Sequence, residues 1–94
     1  MTKQAPTLYQ LADQFINLAN ELAQSEGSPA VGTALRYAAA RYNTFEATLG
    51  GYDLRADKEK LMDMFCEDFR KMLGENIEDY ARRLSQAADT GQPR

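Results

Sequence analysis

The last apolar-periodic segment of this chain is too long for the two before it to cover. From about Asp57 to about Ala88 there is no proline, and apolar residues recur at three- and four-residue spacing nearly to the end. The earlier segments run from about Thr7 to Gln24 and from Pro29 to Leu49. At about 1.5 Å per residue the third spans roughly 45 Å and the others roughly 27–32 Å. The uncovered part still carries Ile77, Tyr80 and Leu84. That surface must fold back at Gly74 or meet another chain, so the sequence speaks about assembly before it speaks about chemistry.

Local signals place the three elements. Thr7 precedes the first stripe as an N-cap, and Leu8, Leu11, Phe15, Leu18 and Leu22 then share one face. The permissive backbone of Gly27 ends that helix. Ser28 and Pro29 read as N-cap and first helical residue of the next. Its inward stripe is Val31, Leu35, Ala38, Tyr42, Phe45 and Leu49, and its many alanines make it slim enough for a neighbouring helix to approach closely. Gly32 costs helix propensity there and suggests a close backbone contact. Gly50–Gly51 stops the second helix, and Asp53 or Asp57 caps the third. The third stripe is Leu61, Phe65, Phe69, Met72, Leu73, Ile77, Tyr80 and Leu84, flanked by Met62 and Cys66. Glu67–Lys71, Glu78–Arg82 and Asp79–Arg83 are acid-before-base pairs four apart. Gly74 weakens this helix without stopping it. Met1–Pro6 reads as a loose polar leader, and Asp89–Arg94 as a fraying end.

The expected fold is all-α: one domain over residues 1–94, with helices at about 7–25, 29–49 and 57–88. The three helices are arranged antiparallel, the third is the longest, and a homodimer completes the core.

Composition removes most chemistry. There are 94 residues, enough for one modest core, with a net charge of −3. An acidic chain is a poor general grip on nucleic acid or anionic lipid, so neither is expected as a partner. No apolar run approaches the roughly 20 residues needed to span a bilayer, and the polar N-terminus lacks a signal core, so a cytoplasmic protein is expected. Histidine is absent. That takes away the usual neutral-pH base and the commonest transition-metal ligand, so no catalytic residue, metal or cofactor is expected. Cys66 is the single cysteine and has acidic neighbours, which suits packing better than nucleophilic reactivity.

Two polar groups still merit a functional reading. Asn17 and Glu21 share a face of the first helix, with Asn20 beside them and Asp13 a turn away. They form a solvent face or, alternatively, a polar-ligand or cation site. Arg41 and Asn43, with Tyr37 and Tyr42 nearby, form a structural arginine–carboxylate bridge or, alternatively, an anion clamp. Together Asn17, Asn20, Glu21, Arg41 and Asn43 make the candidate ligand cluster. Met64, which points away from the third stripe, joins Ile77, Tyr80 and Leu84 as a candidate interface.

Three stretches carry a family resemblance. They are Phe15-Ile-Asn-Leu-Ala-Asn-Glu21, Ala34-Leu-Arg-Tyr-Ala-Ala-Ala-Arg-Tyr-Asn43, and Phe69-Arg-Lys-Met-Leu73 with Glu75-Asn-Ile-Glu-Asp-Tyr80. In this order they resemble a family of small bacterial proteins classed as a domain of unknown function. Gly74 stands where that pattern has a glutamate. The resemblance implies an all-helical bacterial protein and brings no mechanism. The expected function is non-catalytic: helix-mediated self-association or binding of a protein partner. The alternative is a small-molecule or anion-binding module built on Arg41, Asn43, Asn20 and Glu21.

Overall fold

A computed structural model describes residues 4–89 of the chain. The start of the polar leader, residues 1–3, and most of the expected fraying end, residues 90–94, lie outside the described residues. Among the described residues there are three helices and no strand: α1 (Leu8–Glu26), α2 (Ser28–Leu49) and α3 (Lys58–Asp89). The chain divides into two compact units, Met1–Glu46 and Ala47–Arg94.

In the first unit, α1 opens on a reciprocal capping box. The Gln10 amide donates to Thr7 Oγ1 at 3.1 Å, and the Thr7 amide donates to Gln10 Oε1 at 2.8 Å. Two otherwise orphaned donors are satisfied at one helix end. One residue separates α1 from α2. Gly27, at φ 85° and ψ 146°, donates its amide to the Ala23 carbonyl at 3.0 Å. Its own carbonyl accepts from the Val31 amide at 3.3 Å. Gly27 therefore ends α1 and takes the N-cap position of α2, one residue ahead of the Ser28 cap that the Ser–Pro pair suggests. Gly32 makes no close backbone contact; a β-carbon there would meet only the end of the Arg36 side chain, 3.9 Å away.

In the second unit, the buried apolar residues are Ala47, 4% exposed, and Leu61, 8% exposed. Ala47 lies off the stripe expected to face inward on α2. Its carbonyl accepts the Tyr52 amide at 3.3 Å, so the chain turns back over it at Gly50–Gly51. The stripe residues Leu35, Tyr42, Phe45 and Leu49 are exposed instead, because periodicity marks an apolar face but does not supply the neighbour that covers it.

Of the two candidate caps, Asp57 takes the cap position of α3, and Asp53 instead closes the turn before it. Asp53 Oδ1 accepts the amides of Arg55 and Ala56 at 3.1 and 3.0 Å, holding a single turn. The Asp57 carbonyl accepts the Leu61 amide at 2.9 Å, while Asp57 Oδ2 accepts the Asp53 amide at 3.0 Å. Lys60 completes the corner with Nζ 5.7 Å from the centre of the Tyr52 ring. From there α3 runs 32 residues without a break at Gly74. Of its expected acid–base pairs, Asp79–Arg83 forms at 3.1 Å. Arg82 turns to the same Asp79 at 3.8 Å rather than to Glu78. Among the described residues Glu67 and Lys71 make no ion pair, since exposed charges four apart gain only a few tenths of a kcal/mol by meeting.

Candidate functional site

Among the described residues, no hydrogen bond or ion pair joins the five residues of the polar cluster to one another. Asn17, Asn20 and Glu21 are exposed on α1, and Arg41 is exposed on α2. Asn43 is half-buried and donates its side-chain amide to Glu46 Oε1 at 2.7 Å. Arg41 and Asn43 are two residues apart on one helix, a spacing that aims side chains to different sides. Arg36, the other basic residue of this helix, donates to Thr33 Oγ1 at 3.3 Å. Among the described residues, no group of three or more histidine, cysteine, aspartate or glutamate side chains is placed to hold a metal ion.

The concave surface shared by α1 and α2 is apolar and lies apart from that cluster. Phe15, Leu18 and Leu22 line one side, and Val31, Ala34 and Leu35 the other, around a volume of about 660 Å³. The alanines keep α2 slim there, and Glu26 is the one charged residue on the lining. Its composition suits apolar side chains rather than chemistry.

The interface candidates of α3 are open. Ile77 is 57% exposed, Tyr80 64% and Leu84 44%, and Met64 is exposed as well. They do not stand alone: Met62, Phe69, Met72 and Leu73 on the same helix are also exposed, as is Cys66. Monomeric soluble surfaces rarely keep so continuous an apolar row. Arg83 stacks its guanidinium 5.9 Å from the centre of the Tyr80 ring while holding Asp79, fixing one border of this surface. A continuous α3 leaves no fold-back at Gly74 to shelter the row. No helix among the described residues is long and apolar enough to cross a membrane.

The sequence model of a family described as a protein of unknown function (DUF3144) matches residues 8–81. That span contains all three helices' apolar stripes except the last turns of α3. No curated protein and no solved structure matches the chain.

Proposed function

The chain belongs to the DUF3144 family of proteins of unknown function, and we propose that it acts by helix-mediated self-association rather than by catalysis. In this reading the three helices lie antiparallel and a homodimer covers the surface that one copy leaves open. The setting is that of a bacterial cytoplasmic protein. The observation that carries the reading is the exposed apolar row of α3, with Ile77, Tyr80 and Leu84 open to solvent. Fully burying a leucine or isoleucine side chain gains about 1.5–3 kcal/mol, so covering these residues supplies a real driving force for association.

The test is solution mass by light scattering during size exclusion. The wild-type chain is expected at twice the subunit mass at micromolar concentration. The variant Ile77→Asp/Leu84→Asp is expected at the subunit mass with its helical circular dichroism retained. A wild-type chain that stays at the subunit mass at high micromolar concentration overturns the reading.

A further inference from the structure

The exposed row on α3 has an internal symmetry. Its members Met62, Cys66, Phe69, Leu73, Ile77, Tyr80 and Leu84 are all exposed and succeed one another at spacings of 4, 3, 4, 4, 3 and 4 residues. Read backwards, the series is the same, with Leu73 at its centre. We infer that two copies of this chain pair through α3, antiparallel, with the two-fold axis at Leu73. This rests on the self-association proposed above and names its surface and register.

A two-fold interface must present the same patch to itself, so that if one residue meets another, the second meets the first. Turned end for end about Leu73, the row does so. Leu73 meets Leu73, Phe69 meets Ile77, Cys66 meets Tyr80, and Met62 meets Leu84. The two aromatic residues are each set against a smaller side chain, so the layers are of comparable bulk. The row extends about 33 Å at 1.5 Å per residue. With about half of each side chain open, it offers on the order of 600 Å² per copy, against roughly 800 Å² per partner in an interface of standard size.

Charge selects the antiparallel sense. Beside Leu73, Gly74 leaves a notch where a β-carbon would meet nothing within 4 Å. The surface around it is bordered by Glu67, Arg70 and Glu78 among others. Among the described residues the ion pairs of α3 are those of Asp79 with Arg82 and Arg83, so Arg70 and Glu78 have no ion-pair partner in their own copy. In the antiparallel register Arg70 of each copy lies opposite Asn76 of the other, between its Gly74 and Glu78, and comes within about 3 Å of Glu78 along the axis, on the same flank. An in-register parallel pair would set Arg70 and Glu78 of the two copies on opposite flanks, about 12 Å apart along the axis, and leave both unpaired.

Single cysteines test the register. In a Cys66→Ser background, Leu73→Cys is expected to give a covalent dimer under mild copper-catalysed oxidation. Leu84→Cys is expected to give none, because its two copies would lie about 33 Å apart along the axis. The wild-type Cys66, about 21 Å from its own copy on the same count, is likewise expected to stay unlinked. Equal cross-linking at positions 73 and 84 means parallel pairing and overturns the inference. A dimer by light scattering with no cross-link at Leu73→Cys also overturns it, while leaving self-association intact. A subunit-mass wild type overturns both. Surface charges give a second arm that spares the fold. Arg70→Glu is expected to weaken the dimer about five-fold, in the range of exposed ion pairs, and Arg70→Glu/Glu78→Arg to restore it. Failure of the double swap to restore affinity overturns the register.

Discussion

Gly27 does two jobs with one backbone conformation. It closes α1 through its amide and opens α2 through its carbonyl, at a φ of 85°. A side chain there would be strained in a region of backbone space that glycine alone occupies readily. Gly27→Ala is expected to cost about 2 kcal/mol of stability, measured by urea denaturation with circular dichroism detection. Thr7 and Gly27 were legible in the sequence because capping is local: the groups that need partners and the groups that supply them lie within four residues of each other. The polar cluster was not legible in the same way. Asn17, Asn20, Glu21, Arg41 and Asn43 are of the right types for a ligand site. A site needs convergence, which residue type does not encode, and the Asn43 amide is given to Glu46 instead.

The three helices illustrate the reach of periodicity. Each stripe marked a helix and its apolar side, because both derive from the 3.6-residue turn. It did not mark which stripe would be covered. On α2 the buried residue is Ala47, set by the turn through Gly50–Gly51 and Tyr52, while Tyr42, Phe45 and Leu49 on the expected stripe stay exposed. The glycines inside helices obey the same logic. Gly32 reads in sequence as a close contact, yet the space above it is open apart from the end of the Arg36 side chain. Gly32→Ala is therefore expected to raise thermal stability, by about 1 kcal/mol in helix propensity. Gly74 reads as a weak point, yet α3 passes through it, because one glycine costs less than the bonds of the turns on either side gain.

Across the molecule as a whole, the proposed self-association would make solution behaviour depend on the exposed apolar surface. If a second copy covers α3, folding and association are linked, and stability depends on concentration. The thermal midpoint is expected to rise by about 3 °C for each tenfold increase in chain concentration, read by scanning calorimetry. A midpoint independent of concentration between low and high micromolar would mean that each chain melts alone. The Ile77→Asp/Leu84→Asp variant is expected to lose that dependence while keeping its helices, which separates loss of association from loss of fold.

That the chain is helical, where its helices start and stop, and that α3 outruns the others were all written in the order of its residues, because each depends on contacts a few residues apart or on counting. Membership of the family was written there too, in the succession of three short stretches. Two outcomes waited for the folded chain: Ala47 is buried while Tyr42, Phe45 and Leu49 on the expected stripe stay exposed, and Leu61 alone of the third stripe is buried. Those outcomes depend on which surfaces meet across the fold, and hydrophobic burial is non-directional: it drives apolar faces out of water without specifying the neighbour that takes them in.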